Sequence, residues 1–222
     1  MISLSSDLET AGFTLARDFV NLESRNRLLR LTTPELGSGA VHHRSGGAFA
    51  ARGLLRKVSE LGQLLEACGI DALASAVLRD RAIPLDATFF DKHARANWTV
   101  PGHQDRIVAV AATTARKHRI RDGVAYAELD AKTLAGLVAL RIHFDPTDGD
   151  SGALRVVPTS HLDGVMPSDR ISNVPLNKYV PCAANAGDVL ILRPLLLHRS
   201  SPSRGEGQRR VLHVVYGTQE LT

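Results

Sequence analysis

The spacing of apolar residues divides the chain into a helical first part and a strand-rich second part. Between residues 49 and 79, leucine and valine recur every three or four positions, the period of a helix with one apolar face, and the pattern breaks near Gly69. Residues 7–34 also predict helical stretches, although 12–15 allow a short strand instead. Proline and glycine make residues 35–47 loop-like. We expect the helices to cover one face of a sheet.

From residue 80 onwards the pattern becomes that of strands separated by Pro and Gly turns. The strand candidates are residues 82–90, 97–112, 136–144, 154–157, 188–192 and 210–216. Residues 113–132 are basic and polar, which predicts an insertion or loop. Helices followed by many strands predict an α+β, mostly β fold: a sandwich or barrel with N-terminal helices packed on one side. We expect one domain over residues 1–222, with 1–80 as helical support with N-terminal strands and 81–217 as the core.

Composition and charge narrow the class of partner. Apolar residues make up 44% of the chain and charged residues 23%, which is typical of a globular protein. No run of eighteen apolar residues predicts a membrane span, the start lacks a signal-peptide layout, and Cys68 and Cys182 form no disulfide framework, so we expect a cytoplasmic protein. The net charge of +4 is scattered and aromatics are only 5%, which argues against nucleic acid. We expect a small-molecule substrate and no membrane partner; no oligomeric state is predicted.

Candidate metal chemistry centres on His103 and Asp105. Their spacing of two puts both side chains on one face of an extended strand. A second histidine from a distant strand, His198, would complete a set of two histidines and one carboxylate. That set leaves coordination positions open and suits non-heme Fe(II). Two residues of this spacing are weak evidence alone, because histidines satisfied by hydrogen bonds in the core are common.

Three ordered groups of residues resemble the phytanoyl-CoA dioxygenase-like family. Residues 89–92 and 97–105, including Val-Pro-Gly-His-Gln-Asp, resemble its first metal motif. Asp145 and residues 151–161 are similar to its central strand–turn–strand signature, with Pro-Thr-Ser-His where Pro-Gly-Ser-His is usual. Residues 186–190, followed by His198 and Arg209, resemble its closing motif. Together the motifs span roughly residues 80–217 in the order the family has them.

The resemblance implies a double-stranded β-helix (a jelly-roll, cupin-like fold) that uses Fe(II), 2-oxoglutarate and O2. Carried over by position, His103, Asp105 and His198 become the iron ligands. Arg209 becomes the cation for the distal carboxylate of 2-oxoglutarate, a role that suits a planar guanidinium. Arg210 is the alternative if the strand register is shifted by one residue.

Further candidate contacts surround this centre. Arg141 and His143 alternate with apolar residues, so their polar face lines the barrel or faces solvent; we assign Arg141 to 2-oxoglutarate or an acidic substrate, and His143 to the substrate. Thr99, where close relatives often carry lysine, is a further candidate for cofactor binding. Trp98 is either a substrate contact or core packing. His43, in the loop-like stretch, is either a lid residue that meets substrate or part of a solvated loop.

These assignments predict an Fe(II)- and 2-oxoglutarate-dependent dioxygenase. It would hydroxylate a small molecule, such as an amino acid or natural-product intermediate, and release succinate and CO2. By the resemblance, Asp105 argues against a halogenase, which lacks this carboxylate so that chloride can bind. Two alternatives are a cupin-like metalloenzyme without 2-oxoglutarate, against which Arg209 argues, and a non-catalytic jelly-roll binding module.

Overall fold

Two antiparallel sheets enclose a cavity, and helices cover the outer face of the larger sheet. The computed structural model describes residues 2–33, 41–44, 47–93, 97–109, 119–121, 124–204 and 207–218; for 2, 3, 41–44, 47–49 and 121 it describes the backbone alone. The larger, seven-stranded sheet has the order β1 (Phe13–Ala16), β12 (Val189–Leu192), β9 (Val138–His143), β14 (Arg209–Thr218), β4 (Ala82–Lys92), β3 (Gly47–Ala51) and β2 (Val41–Arg44).

The opposing sheet has four short strands. A third sheet, of three strands, lies at the edge of the cavity. The four-stranded sheet, which we call the minor sheet, has the order β11 (Val180–Pro181), β10 (Leu154–Val156), β13 (His198–Ser200) and β5 (Val100–His103). The third sheet has the order β6 (Ile107–Ala109), β8 (Val124–Glu128) and β7 (Arg119–Arg121). This arrangement confirms the predicted jelly roll.

In the described part of the first 80 residues, five helices pack on the larger sheet, as predicted. They are α1 (Ile2–Ala11), α2 (Leu22–Thr32), α3 (Leu54–Lys57), α4 (Leu61–Ala67) and α5 (Ile70–Leu78); α6 (Ala131–Ala135) and α7 (Ser168–Ser172) follow later. The Asn21 side chain caps α2 by accepting a hydrogen bond from the Ser24 amide at 2.9 Å. Gly69, at φ +75°, separates α4 from α5, because a left-handed residue cannot continue a helix.

The main hydrophobic core lies between these helices and the outer face of the larger sheet. Leu28, Leu65 and Leu73 are buried there against alternate residues of the central strands, such as Leu140 and Leu212. The other face of β9 and β14 therefore points into the cavity. Among the described residues no single helix is long and apolar enough to cross a membrane; α4 and α5 reach that length and composition only together, as a pair bent by 71°.

The structure corrects several predicted elements. Within the predicted loop 113–132, residues 119–121 and 124–128 form strands and 131–135 a helix. The prediction was wrong because β8 is buried on both faces, so its sequence shows no alternation. Residues 49–51, predicted as helix, belong to β3, and 41–44, predicted as loop, form β2; residues 35–40, 45 and 46 of that loop lie outside the described chain.

The larger sheet combines strands from both predicted parts of the chain. Its strands β1, β2 and β3 come from the first 80 residues, and the other four come from residues 82–218. We therefore propose a single domain in which residues 1–80 support a core of residues 81–217.

Candidate metal centre

Strand pairing in the minor sheet brings two distant histidines face to face. His103 ends β5 and His198 begins β13, and the two residues are direct Cα partners. Their ring centroids lie 4.2 Å apart. Residues 198–200 were not among the strand candidates, although His198 was expected to come from a distant strand. The register of β13 brings the two side chains together as predicted.

Asp105 completes the group from the loop that follows β5. Its amide donates to the carbonyl of Pro194 at 2.9 Å, which fixes the loop to the turn before β13. The carboxylate then lies between the histidines, with Oδ1 3.5 Å from His103 Nε2 and Oδ2 3.6 Å from His198 Nε2. The ligand atoms of the three side chains all lie within 4.8 Å of one another. The strand ends before Asp105, so a loop hydrogen bond, and not strand alternation alone, sets its position.

Hydrogen bonds at Nδ1 orient both imidazole rings. Nδ1 of His103 lies 2.9 Å from the carbonyl of Pro101, and Nδ1 of His198 lies 2.8 Å from that of Leu196. Because a carbonyl only accepts, each Nδ1 donates, and in a neutral ring Nε2 keeps its lone pair towards Asp105. This is the arrangement in which histidine binds a metal.

Burial and charge give the three groups distinct protonation behaviour. Burial lowers the pKa of His198 to about 4, so its ring is neutral at pH 7. Burial also disfavours the charged forms of His103 and Asp105. For His103, however, the hydrogen bond with Asp105 and the negative charge of that carboxylate raise the pKa. Burial alone would raise the pKa of Asp105, but the adjacent imidazoles of His198 and His103, including a hydrogen bond with His103, hold it well below its usual range.

The group fits a divalent metal ion. Ligands about 2.0–2.2 Å from an ion lie roughly 3 Å apart, so carboxylate–imidazole separations of 3.5 and 3.6 Å need only a small closure. The His198 side chain is 4% exposed, whereas those of His103 and Asp105 are 39% and 31% exposed. One side of the site therefore stays open to the cavity.

Gln104, between two of the candidate ligands, fastens their loop to the rest of the protein. Its amide nitrogen donates to the carbonyls of Gly164 at 2.8 Å and Leu195 at 2.7 Å, and its oxygen accepts from the amide of Met166 at 2.9 Å. The residue is 6% exposed. It holds the loop against two other segments at the point where His103 and Asp105 must converge.

We expect Gln104→Leu to destabilise the protein by about 3 kcal/mol, because three backbone groups on two other segments lose their partner. Urea unfolding of the metal-free protein measures this. Gln63→Leu, at an exposed position on α4, is the matched control and should change stability by less than about 0.5 kcal/mol. Equal effects of the two substitutions would contradict the role assigned to Gln104.

A cavity of about 740 Å³ extends from the three side chains between the sheets. Its walls combine polar and apolar side chains. The lining includes Thr88, Phe90, Trp98, Thr99, Arg141, Arg209 and His213. A cavity of this size holds a small organic molecule.

Three buried cations face one another in the wall of the barrel. Arg209 on β14 and Lys92 on β4 are direct Cα partners, and Arg141 lies on neighbouring β9. They are 5%, 0% and 8% exposed, respectively. Burial, together with the charge of neighbouring arginines, lowers the pKa of Arg209 to about 9 and that of Lys92 to about 7. In the described part of the chain, Nε of Arg209 and of Arg141 has no hydrogen-bond partner.

The hydrogen bonds described for Arg141 and Lys92 are with neutral groups. Arg141 Nη1 donates to Nδ1 of His213 at 3.1 Å, and burial lowers the pKa of His213 to about 3. Lys92 Nζ donates to the carbonyls of Trp98 and Ser201, both at 2.7 Å, and lies 4.8 Å from the centroid of the Trp98 ring. The cluster thus keeps excess positive charge in a desolvated wall, which fits a dianionic ligand such as 2-oxoglutarate.

Arg210 faces away from this cluster, so the register of β14 is the one that the sequence favoured. Its guanidinium makes two hydrogen bonds to Asp145, at 2.6 and 2.9 Å. Arg209, on the opposite side of the strand, lines the cavity. The alternation of the strand separates a structural arginine from one available to a ligand.

The other predicted contact residues differ in where they lie. Thr99 and Trp98 line the cavity, and Trp98 also packs near Phe90. His143 is 2% exposed and lies outside the cavity lining, which does not support the predicted substrate contact; burial lowers its pKa to about 3. The side chain of His43 lies outside the described part of the structure.

Sequence reasoning missed Lys92 and Gln104 as parts of the site. Lys92 follows Phe90 and Thr88 at strand spacing, and that parity with cavity-lining positions was the available signal. For Gln104 the only signal was its position between His103 and Asp105 in the metal motif.

Solved structures share the fold. The non-heme alpha ketoglutarate dependent epimerase SnoN from nogalamycin biosynthesis matches with a TM-score of 0.74 and 13% identity, over 98% of this chain and 80% of that chain. AviO1 from Streptomyces viridochromogenes Tue57 gives 0.71 and 20%, over 100% and 96%. EctD from S. alaskensis gives 0.77 and 13%, over 100% and 78%. At these identities the likeness establishes the fold.

Family assignment comes from the sequence as a whole. No curated protein matches the chain significantly. The family model of phytanoyl-CoA dioxygenase (PhyH) matches residues 8–211, which include the His103–Asp105–His198 group, the three interior cations and most of the helices that support them. The chain therefore belongs to the phytanoyl-CoA dioxygenase family.

Proposed function

We propose that this family member, an Fe(II)- and 2-oxoglutarate-dependent oxygenase, hydroxylates a small molecule at a centre held by His103, Asp105 and His198. The convergence of two Nε2 atoms and one carboxylate within 4.8 Å, at the wall of a cavity, carries the proposal. Iron bound there with 2-oxoglutarate and O2 would supply the oxidation of an unactivated C–H bond. The protein's own part is to hold the ligands, leave one side open and limit water.

The cation cluster supports binding of 2-oxoglutarate next to the metal. We propose that Arg209 holds the distal carboxylate, since its guanidinium is buried, lines the cavity and has an unsatisfied Nε. Lys92 adds positive charge directly across the strand pair. Arg141 and Thr99 are proposed as further contacts, with Arg141 also available to an acidic substrate. A metalloenzyme that did not bind a dianion would gain nothing from three desolvated cations.

The substrate is proposed to be a small amino acid or natural-product intermediate that occupies the remainder of the cavity. Related structures offer precedents: SnoN was solved in complex with Fe3+, alpha ketoglutarate and nogalamycin RO, and EctD with 2-oxoglutarate and 5-hydroxyectoine. Trp98, in the cavity wall beside Phe90, is the proposed apolar contact for the substrate. Asp105 supports hydroxylation over halogenation, because it fills the carboxylate position.

We also propose a cytoplasmic location, without nucleic-acid or membrane partners. Cys68 and Cys182 are free thiols, as expected in a reducing compartment. Burial raises the pKa of the Cys182 thiol to about 12, so this side chain is an apolar filler in the barrel and takes no part in the chemistry.

Succinate formation tests the proposed function. Protein supplied with Fe(II), 2-oxoglutarate and O2 should release succinate in proportion to substrate in a screen of amino acids and natural-product intermediates. Asp105→Ala, which removes the carboxylate from the proposed centre, should abolish release. A substrate oxidised without consumption of 2-oxoglutarate would contradict the proposal and favour a cupin-like metalloenzyme.

The affinity for 2-oxoglutarate should fall as the pH rises above 7. Burial, with Arg209 and Arg141, lowers the pKa of Lys92 from 10.5 to about 7. The unfolded chain therefore holds a proton between pH 7 and 10.5 that the folded chain has released, and the ligand-free protein gains stability as pH rises through this window. A bound dianion favours the ammonium form again, so binding takes up a proton.

Calorimetric titration of 2-oxoglutarate between about pH 7 and 9 measures this dependence. The dissociation constant should rise by up to about tenfold per pH unit in the natural protein. Lys92→Met should bind more weakly at pH 7 and lose most of this slope. Identical slopes in the two proteins would show that Lys92 does not interact with the ligand.

A further inference from the structure

The outer face of the minor sheet carries two arginines directly opposite each other. Arg155 in β10 and Arg199 in β13 are Cα partners. Both side chains point away from the barrel, because the residues before and after each of them are buried inside it. Like charges at directly opposed positions of a ladder destabilise a sheet. This arrangement therefore favours a compensating negative charge.

Among the described residues around the two arginines, Asp150 is acidic, but its recorded ion pair is with Arg204. Neither guanidinium forms an ion pair with a carboxylate in this part of the chain. Nε of Arg199 is buried and has no hydrogen-bond partner, and the guanidinium carbon lies 5.6 Å from the centroid of the Tyr179 ring. The aromatic contact orients the guanidinium but leaves its donor unsatisfied, which costs free energy unless a ligand accepts from it.

A small pocket of about 220 Å³ lies over the two arginines. Its wall includes Arg204, whose Nη1 is 3.8 Å from Oδ1 of Asp150. Three arginines and one aspartate give a net formal charge of 3 − 1 = +2. A Cβ on Gly149 would lie 3.7 Å from Nη2 of Arg155, so the loop backbone approaches the guanidinium and closes one side of the pocket.

We propose that this outer pocket binds the phosphate group of an organic phosphate ester. A charge of +2 matches a phosphate monoester dianion, and paired guanidiniums offer the planar donors that phosphate oxygens accept. Leu176, 68% exposed, and the Tyr179 ring flank the pocket and provide apolar contact for the organic part of the ester.

The proposed site is separate from the oxygenase centre but shares a strand with it. Arg199 directly follows His198 in β13, and the two side chains point to opposite faces of the sheet. A phosphate bound outside would relieve the repulsion between β10 and β13. We therefore expect the ligand to stabilise the folded protein without entering the cavity that contains Arg209.

Thermal unfolding and calorimetric titration of the full chain test the proposal, with inorganic phosphate and phenyl phosphate as probes. Both should raise the melting temperature above that in sodium chloride of the same ionic strength, and phenyl phosphate should bind more tightly. Arg155→Gln should weaken phenyl phosphate binding by about tenfold or more. Arg27→Gln, at an exposed position on α2, is the matched control and should leave it unchanged.

Three results would overturn the proposal. One is stabilisation no greater than that in chloride. Another is binding that survives Arg155→Gln but disappears in Arg209→Gln, which would place the phosphate inside the barrel. Equal affinity for phosphate and phenyl phosphate would reject the ester and identify free phosphate as the ligand of the arginines.

Discussion

Replacing Arg209 with methionine should make the ligand-free protein more stable and, at the same time, nearly unable to bind 2-oxoglutarate. The guanidinium is 5% exposed, has an unsatisfied Nε and faces two other cations, so its burial opposes folding. An apolar side chain of similar volume removes that cost, and we expect a gain of about 1–3 kcal/mol in the free energy of unfolding. Loss of the proposed carboxylate partner should weaken 2-oxoglutarate binding by roughly a hundredfold or more.

Arg210→Met is the matched control, because the adjacent arginine lies on the other side of β14. Its two hydrogen bonds to Asp145 stabilise the fold, and it takes no part in the cavity. This variant should lose about 1–3 kcal/mol of stability and keep its affinity for 2-oxoglutarate. Urea unfolding and calorimetric titration of both variants give the four numbers needed. A destabilised Arg209→Met with normal affinity would contradict the assignment.

His103→Ala should remove metal binding and turnover while the fold is preserved. The side chain is 39% exposed and opens to the cavity, so its truncation leaves little buried void. Two of the three converging ligands remain. Loss of a residue that hydrogen-bonds to a metal ligand typically lowers metal affinity by about 10–100-fold. We therefore expect loss of a direct ligand to lower it by more than about a hundredfold.

Metal-dependent stabilisation measures this effect without a substrate. Fe(II) added under anaerobic conditions should raise the melting temperature of the natural protein and leave that of His103→Ala unchanged. His93→Ala, at a histidine directly after β4 and outside the cavity lining, should behave like the natural protein. Equal stabilisation of the two variants would show that iron binds elsewhere.

Much of the site was predictable because it follows from ordered motifs and strand parity. His103, Asp105 and His198 converge in the structure as the sequence predicts, and Arg209, not Arg210, faces the cavity. Their roles as ligands stay proposals. The jelly roll was predictable too, since strands with regular turns follow a helical segment and the motifs occur in family order.

The features that the sequence did not reveal depend on how strands pair with one another and on strands that are buried on both faces. The opposition of Lys92 to Arg209 requires knowing how β4 pairs with β14, which no local pattern reports. The same holds for Arg155 and Arg199 on the outer face. Strand β8 lies in a stretch whose sequence predicts a loop, because its first four residues are all buried and therefore show no period of two.

The central claim is that one site holds both iron and 2-oxoglutarate, and an anaerobic visible spectrum tests it most directly. Addition of Fe(II) and 2-oxoglutarate together should produce a weak absorption band in the green that neither produces alone. The band should be absent in His103→Ala and in Arg209→Met, and present in Arg210→Met. A folded natural protein that gives no band, or an unchanged band in both of the first two variants, would contradict the account.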